Sequence, residues 1–300
     1  MSDYVVLDPR FQALIVPHAK LERLWTGARW SEGPVYVPAA KHLLWSDIPN
    51  DRVMRYDETS GAVSVFEHPC GYHNGHSLDG QGRVVACEHG GRRISRLDHD
   101  GEWRTLADRF GGKRLNSPND VVVKSDHSIW FTDPTYGIDS HYEGHRATSE
   151  LGVSNVYRID GATGDITAVI TDMVKPNGLA FSADEKLLFV GDTGATHVDM
   201  KRIMKVYDVA ADGRSVTNGR FFAESDAGFF DGFRTTTEDI LWTSTADSVR
   251  AYAFDGTLLG KILIPEFVSN LTFGGRKRNR LYITAQTSLY AIYLARGALG

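Results

Sequence analysis

Short apolar runs separated by turn-forming residues dominate the chain, whereas amphipathic helical windows are scarce. The runs are rich in Val, Ile, Trp, Tyr and Phe and lie between Gly, Asp, Asn and Pro, which is typical of strands and turns. Six runs have similar length and surroundings: His42–Ser46, Arg83–Cys87, Ser128–Thr132, Leu187–Gly191, Ile240–Thr243 and Arg280–Thr284. This pattern predicts an all-β protein with a repeated unit.

Each of these runs follows an acid or amide that begins another apolar stretch. The aligned positions are Glu32, Asn74, Asn119, Asn177, Asp231 and Asn270, at intervals of 42, 45, 58, 54 and 39 residues. Turns bearing Asp and Gly recur at a matching point of most units, where they would close an outer hairpin. A repeat of roughly 40 to 50 residues with about four short strands is typical of a propeller blade. We therefore predict a six-bladed β-propeller, with residues 1–300 forming a single domain.

Two segments modify this scheme. Residues 21–25 offer a strand that would complete the last blade, which would remove an exposed sheet edge. The polar segment 136–154 breaks the period inside the third unit, so we expect an insertion loop. This loop is either a long turn without function or a loop that shapes the mouth of the channel. A TIM barrel, the main alternative at this length, needs eight amphipathic helices that the sequence does not supply.

Composition and charge narrow the class of protein. The chain is 42% hydrophobic and 24% charged, as in soluble globular proteins, and its formal net charge is −5. No basic field therefore attracts nucleic acid or an anionic membrane, and a small-molecule partner is the better expectation. The two cysteines, Cys70 and Cys87, form neither a C-x-x-C motif nor a disulfide scaffold. With no secretory leader or membrane-spanning run, we predict a cytoplasmic protein, and the sequence leaves its oligomeric state open.

The six aligned positions carry the candidate chemistry. Equivalent inner-strand positions of a propeller surround one axis, so two carboxylates and four amides would converge there. For a single unit, Asn or Asp beside Gly is ordinary turn chemistry, but six in register weaken that explanation. Oxygen ligands with a charge near −2 fit a hard divalent cation, with Ca²⁺ first and Zn²⁺, Mg²⁺ or Mn²⁺ as alternatives. An unmetallated polar channel is the competing interpretation, although two carboxylates held together without a cation would repel and one would take up a proton.

Several stretches also match a known pattern. They are residues 30–34 (WSEGP), 87–90 (CEHG), 112–120 (GKRLNSPND), 130–137 (WFTDPTYG), 176–182 (PNGLAFS) and 270–275 (NLTFGG). In these stretches the chain resembles the calcium-dependent lactonases grouped as senescence marker protein, gluconolactonase and luciferin-regenerating enzyme. These are six-bladed propellers related to diisopropyl fluorophosphatase, and the bacterial gluconolactonases are the most similar branch.

The resemblance implies roles for particular residues. The metal ligands would be four of the six aligned positions: Glu32, Asn119, Asn177 and Asp231. Asn74 matches a residue that faces the substrate or a metal-bound water. His76 stands where gluconolactonase-like sequences usually carry another polar residue, often Asn, and this departure bears on substrate choice. In the fifth unit, residues 235–247 lack the usual Asp-x-x-Gly-Asn turn, while Asp231 is intact.

Together these observations predict hydrolysis of a sugar lactone, such as a gluconolactone, to the aldonic acid. Asp231 is the expected general base and Glu32 chiefly a ligand, with the reverse assignment open. The side chains expected to grip sugar hydroxyls are Asn74, His76, Glu88 and Tyr136. Two alternatives remain: a lactonase or phosphotriesterase for apolar substrates on the same metal ring, and a non-catalytic propeller scaffold.

Overall fold

Six antiparallel sheets follow one another along the chain in a computed structural model that describes residues 3–298. The first strand of each sheet contacts the first strand of the next, and the first strand of the sixth sheet contacts that of the first. The sheets are therefore blades around one axis, with the first strand of each blade innermost. The six-bladed propeller predicted from the sequence is confirmed.

The strands are as follows in chain order. Two precede the first blade: β1 (Tyr4–Val6) and β2 (Glu22–Thr26). The first blade holds β3 (Ser31–Val37), β4 (His42–Asp47), β5 (Arg52–Asp57) and β6 (Val63–Glu67). The second holds β7 (His73–Leu78), β8 (Val84–Glu88), β9 (Arg93–Leu97) and β10 (Trp103–Ala107), followed by a small hairpin of β11 (Arg109–Phe110) and β12 (Lys113–Arg114).

The remaining blades repeat the same plan. The third holds β13 (Val121–Val123), β14 (Ile129–Thr132), β15 (Val156–Ile159) and β16 (Ile166–Ile170). The fourth holds β17 (Pro176–Phe181), β18 (Leu187–Asp192), β19 (Ile203–Val209) and β20 (Val216–Glu224). The fifth holds β21 (Phe233–Thr235), β22 (Ile240–Ser244), β23 (Ser248–Ala253) and β24 (Leu258–Leu263), and the sixth holds β25 (Val268–Gly274), β26 (Arg280–Ala285) and β27 (Ser288–Tyr293).

Helix is confined to short segments. The 3-10 helices are Pro9–Ala13, Ile48–Asn50 and Gly194–Thr196, and the single four-residue α-helix of the described chain, α1, is Tyr136–Asp139. Between residues 3 and 298, no helix is long and apolar enough to cross a membrane.

The apolar core is divided among the interfaces between blades. Each of six clusters of buried side chains joins two neighbouring blades, including the last and the first. Large aromatic side chains fill these interfaces, and Trp45, Trp130 and Trp242, all in second strands, are at most 2% exposed. A blade buried on both faces needs apolar residues on both faces of its central strands, which is why the second strands form continuous apolar runs. Each of the six predicted strands is the second strand of a blade, and no end differs by more than one residue.

The N-terminal segment ties the last two blades together. β2 pairs with β27, so the sixth blade contains three strands from the end of the chain and one from its beginning. β1 pairs with β24 and gives the fifth blade an additional outer strand. Between them, Phe11 is fully buried and its ring lies 6.0 Å from that of Trp242. The ring of blades is thus closed by hydrogen bonds between distant parts of the chain, a device that leaves fewer sheet edges exposed.

Candidate functional site

The six aligned residues occupy equivalent places in the blades. Each lies within the innermost strand or two residues before it. Several of these strands change register beside the aligned residue, as between Glu32 and Val35 in β3 and between Pro176 and Leu179 in β17. A bulge of this kind re-aims a side chain, here at the channel end of the strand.

Glycine follows four of the six residues because the innermost strands approach one another closely. A Cβ on Gly33 would overlap the carbonyl oxygen of Asn74, and a Cβ on Gly178 would overlap that of Asp231. Of these two glycines, only Gly33 has a positive φ, 56°. At Gly33 and Gly178, the pairing of an acid or amide with glycine therefore reflects close packing of the innermost strands around the axis.

Glu32 is one of two predicted carboxylates on the axis. It is 4% exposed, and its Oε1 accepts a hydrogen bond of 2.7 Å from Asn270 Nδ2. Its Oε2 is buried and has no hydrogen-bond partner within residues 3–298. Burial, helped by the charge of Asp120, raises the pKa of Glu32 to about 7. One oxygen of Glu32 is therefore fixed by Asn270, and the other is buried without a hydrogen bond or a counter-charge in the described chain.

Asp231, the second predicted carboxylate, shares this environment but keeps partial exposure to solvent. Burial raises its pKa well above the usual range, and the charges of Glu32, Asp120 and Glu143 add to the shift. A hydrogen bond from the Asn177 side chain acts in the opposite direction. The charge of Glu32 thus opposes the ionisation of Asp231, as expected for neighbouring carboxylates without a cation between them.

The axial amides fall into two groups. Asn177 has a buried Oδ1 with no partner in the described chain, while its Nδ2 lies 3.5 Å from Thr193 Oγ1. Asn119 is 5% exposed, and its side chain forms no hydrogen bond with residues 3–298. Asn270 differs, because its Oδ1 already accepts from Leu271 N at 2.8 Å and its Nδ2 holds Glu32. Asn270 therefore orients a carboxylate, and Asn119 and Asn177 keep free oxygens.

The side chain of Asn74 is oriented by His89, a residue that was not among the site residues predicted from the sequence. His89 Nδ1 donates to the carbonyl of Glu143 at 3.1 Å, so its Nε2 is free to accept from Asn74 Nδ2 at 3.0 Å. Burial lowers the pKa of His89 to about 4, which agrees with this neutral form. The Oδ1 of Asn74 is then left buried without a partner in the described chain. Asn74 thus offers an acceptor oxygen at the axis.

The donor set fits a hard divalent cation. The buried side-chain oxygens without hydrogen-bond partners at the axis belong, within the described chain, to Glu32, Asn74, Asp120 and Asn177. Within the described range, no group of three or more His, Cys, Asp or Glu side chains is placed to hold a metal. The free oxygens at the axis belong to carboxylates and amides, and these are ligands that Ca²⁺ accepts.

Two of the predicted substrate-binding residues lie in a hydrogen-bonded network inside the second blade. His76 is 1% exposed, its Nδ1 donates to the carbonyl of Gly33 at 2.7 Å, and burial lowers its pKa to about 3. Its Nε2 lies 3.3 Å from His73 Nδ1, and His73 Nε2 lies 3.6 Å from Glu88 Oε1. Arg93 Nε donates to the other Glu88 oxygen at 2.8 Å. This network contacts the inner strand beside Glu32, and substrate contact by His76 and Glu88 stays a prediction.

Tyr136, the fourth predicted substrate-binding residue, begins α1 and is partly exposed. Its hydroxyl lies 2.6 Å from Thr193 Oγ1 and 2.9 Å from Thr196 Oγ1. Burial raises its pKa to about 12, and Asp231 is among the charges that contribute. Tyr136 therefore lies near the axial carboxylates with its hydroxyl anchored and part of its surface open.

The insertion loop packs against the ring. Gly137 has no room for a Cβ beside His89, and Gly144 has none beside Gly137. Glu143 on this loop was not selected from the sequence, although its charge raises the pKa of Asp231. Burial raises the pKa of Glu143 itself to about 7. Of the two interpretations of this segment, the contacts favour a loop that shapes the channel mouth.

Asp120 also escaped sequence reasoning, although it directly follows Asn119. It is 1% exposed, and its Oδ2 lies 3.9 Å from Arg234 Nη1. Its charge contributes to the raised pKa of both Glu32 and Asp231. Its position next to Asn119 was the only sequence feature that could have indicated its place at the axis. Alignment of the repeats selects one residue per unit, and in this unit it selected Asn119.

The chain is similar to a known protein family and to several proteins named as lactonases. The family model described as the SMP-30/gluconolactonase/LRE-like region matches residues 30–287, a range that includes all six aligned positions. A gluconolactonase of Zymomonas mobilis is 27% identical over 308 aligned positions, which cover 95% of this chain and 84% of that protein. A pentonolactonase of Haloferax volcanii is 29% identical, covering 86% of this chain and 82% of that protein. The solved structure of a gluconolactonase from Xanthomonas campestris is 36% identical, with a TM-score of 0.90 over 98% of this chain and 96% of that one.

Proposed function

Because this chain belongs to the SMP-30/gluconolactonase/LRE-like family, we propose that it hydrolyses a sugar lactone, such as a gluconolactone, to the aldonic acid. We further propose that the reaction depends on a divalent cation, Ca²⁺ first among the candidates, held by Glu32, Asn119, Asn177 and Asp231. The named activities of the gluconolactonase and pentonolactonase relatives support the reaction class. The cation and its ligands rest on the side chains around the axis.

One observation carries the proposal. Glu32 Oε2 and Asn177 Oδ1 are buried without hydrogen-bond partners in the described chain, and the charge of Glu32 adds to the raised pKa of Asp231. Leaving buried polar atoms unpaired is costly, and so is placing two carboxylates together. A scaffold needs neither feature, whereas a site that binds a cation and performs acid–base chemistry needs both.

The residues of the chain divide the chemistry between them. A lactone is a cyclic ester, and water adds to its carbonyl carbon through a tetrahedral oxyanion. A bound divalent cation would supply a Lewis acid that polarises this carbonyl and stabilises the oxyanion. Asp231, which keeps partial exposure and a carboxylate free of side-chain salt bridges in the described chain, accepts the proton of the attacking water. Glu32 is held by Asn270 and stays a ligand. The ring C–O bond then breaks, the leaving oxygen takes the proton that Asp231 had accepted, and a hydroxy acid is released.

A pH-indicator assay with and without chelator tests the proposal. The substrates are glucono-δ-lactone, an unsubstituted lactone and an organophosphate triester. We expect hydrolysis of the sugar lactone, its loss after exhaustive chelation and its recovery on addition of Ca²⁺. Turnover that survives metal removal, verified by elemental analysis, contradicts the cation mechanism. Preference for the triester or the unsubstituted lactone contradicts the substrate class, and absence of all hydrolysis with bound Ca²⁺ favours a non-catalytic propeller.

A further inference from the structure

Lys175 is a buried lysine that the proposed chemistry does not use. It lies two residues before Asn177 and is 8% exposed. Lysine is rarely buried without an acidic partner, because its amine loses its hydration. In the described part of the chain Lys175 forms no salt bridge, and its Nζ donates a single hydrogen bond, to Thr135 Oγ1. The remaining N–H groups of this amine have no protein acceptor there.

The neighbouring acid is already occupied. Asp139, at the end of α1, accepts from Thr135 Oγ1 at 2.7 Å and lies 3.0 Å from His197 Nε2. Lys175 therefore donates to the hydroxyl of Thr135, and this hydroxyl in turn donates to the carboxylate of Asp139. A buried lysine usually pairs directly with an acid, and Lys175 does not do so within residues 3–298. The remaining N–H groups of Lys175 are therefore available to donate hydrogen bonds to a bound ligand.

The surroundings place this amine at the edge of the proposed active site. Lys175 Nζ lies over the ring of Tyr136, 5.8 Å from its centroid. The Tyr136 hydroxyl lies 2.6 Å from Thr193 Oγ1, which is 3.5 Å from Asn177 Nδ2. Thr193 also donates to the carbonyl of Lys175, at 3.2 Å. A compact chain of contacts thus joins the amine to a proposed ligand, and the partly exposed Tyr136 ring forms its open side.

We propose that Lys175 is a specificity-determining residue that donates hydrogen bonds to the hydroxyl oxygens of a polyhydroxylated lactone. This inference rests on the proposed lactone hydrolysis and adds the residue that distinguishes sugar-derived lactones from apolar ones. An apolar lactone leaves the N–H groups of the buried amine unpaired, and a site that hydrogen-bonds a substrate hydroxyl discriminates strongly against an analogue without it.

The test compares two lactones of the same ring size, glucono-δ-lactone and δ-valerolactone, with Lys175→Met. Methionine keeps the length of the side chain and removes its donors. We expect KM for glucono-δ-lactone to rise by about 10-fold or more with kcat changed much less, since a ground-state contact is lost. The kcat/KM for δ-valerolactone should stay within about twofold of wild type. Lys186→Met, at an exposed lysine that pairs with Asp184, is the matched control and should change neither substrate.

The outcomes separate this inference from the function on which it rests. An equal loss of kcat/KM for both lactones, or no change for either, overturns the role of Lys175. Should Lys175→Met fail to fold, Lys175→Gln retains donors and should keep a preference for the sugar lactone; a Gln variant without that preference also overturns the inference. If the wild-type protein hydrolyses both lactones with equal efficiency, Lys175 confers no specificity and the hydrolase assignment stands. If it hydrolyses neither, the proposed function itself has failed.

Discussion

At the scale of single residues, the two axial carboxylates differ in their hydrogen bonds and in their exposure to solvent. Glu32 has one oxygen fixed by Asn270, whereas Asp231 keeps partial exposure and is influenced by four neighbouring side chains. The two carboxylates occupy equivalent positions in the repeat, but their different surroundings suit them to different roles. This asymmetry supports Asp231 as the base and Glu32 as the ligand, and it makes the two assignments experimentally separable.

We predict that Asp231→Asn lowers turnover of a sugar lactone by about 100-fold or more at saturating Ca²⁺. Asparagine keeps an oxygen ligand of nearly the same size but cannot accept the proton, and this is the usual scale for a lost general base. The measurement is the rate of lactone hydrolysis as Ca²⁺ is raised until each variant is saturated.

Glu32→Gln is the control, because it removes the same charge from the ring. We expect it to need more Ca²⁺ and then to recover much of its turnover. Near-wild-type turnover of Asp231→Asn together with an inactive Glu32→Gln at saturation would show that base and ligand are reversed.

Asn270 gives a second residue-level prediction. Asn270→Leu removes the donor to Glu32 Oε1, so Ca²⁺ affinity should fall by about 10-fold, as for other residues that orient a metal ligand. Turnover at saturating Ca²⁺ should change much less. Calorimetric titration with Ca²⁺ measures the affinity, and Asn279→Leu, which removes a hydrogen bond to Leu294 in the same blade, is the matched control. Equal affinities for the Asn270 variant and the wild type would exclude this positioning role.

At the scale of elements, the close approach of the innermost strands sets the geometry of the site. Gly178 lies against the carbonyl of Asp231, so Gly178→Ala should push the fourth and fifth blades apart at the axis. We expect a lower unfolding temperature and weaker Ca²⁺ binding in this variant. Gly61→Ala is the control, because Gly61 has a φ of 73° in an outer turn with no atom near its Cβ position. It should lower stability by about 1 kcal/mol, the cost of a non-glycine residue in the left-handed region, without changing Ca²⁺ affinity. Loss of affinity in both variants would show that general destabilisation is the cause.

Strands that belong to the repeat, including the one that completes the sixth blade, were predictable from the sequence, whereas β1 and the contacts of the insertion loop were not. The second strands are apolar because both faces of each blade are buried, so strands such as β4 and β26 stand out in the sequence. The register of Glu32 and Asp231 followed from the repeat. By contrast, β1 has no counterpart in the other blades, and its pairing with β24 depends on a contact between distant parts of the chain. Glu143 reaches the axis only through the fold of the insertion loop, which carries no periodic signal.

At the scale of the whole molecule, the axial carboxylates link stability to pH when the cation is removed. In the folded protein the pKa of Glu32 is about 7, above its ordinary value of 4.5. The folded state therefore binds this proton more tightly than the unfolded state does, and the resulting stability is full below about pH 4.5 and lost as the pH rises through about 7. We predict that wild-type protein in chelator loses stability over this interval relative to Glu32→Gln.

Thermal unfolding of both proteins across this pH range measures the effect. His76 and His89 have lowered pKa values and act in the opposite direction, but they are present in both proteins and cancel in the difference. Excess Ca²⁺ should abolish the relative loss, because binding to the folded protein compensates the paired charges. A difference that does not change with pH in chelator would contradict the burial of an uncompensated Glu32.

The pairing of β2 with β27 has a consequence for how the protein is made. The strand that completes the sixth blade is synthesised before any of the six blades, and the strand to which it binds lies at residues 288–293. During elongation the early blades can assemble as they emerge, while the strand at residues 22–26 has nothing to pair with. The ring therefore closes only once Tyr293 has left the ribosome, and in an interrupted nascent chain the strand at residues 22–26 stays without its partner.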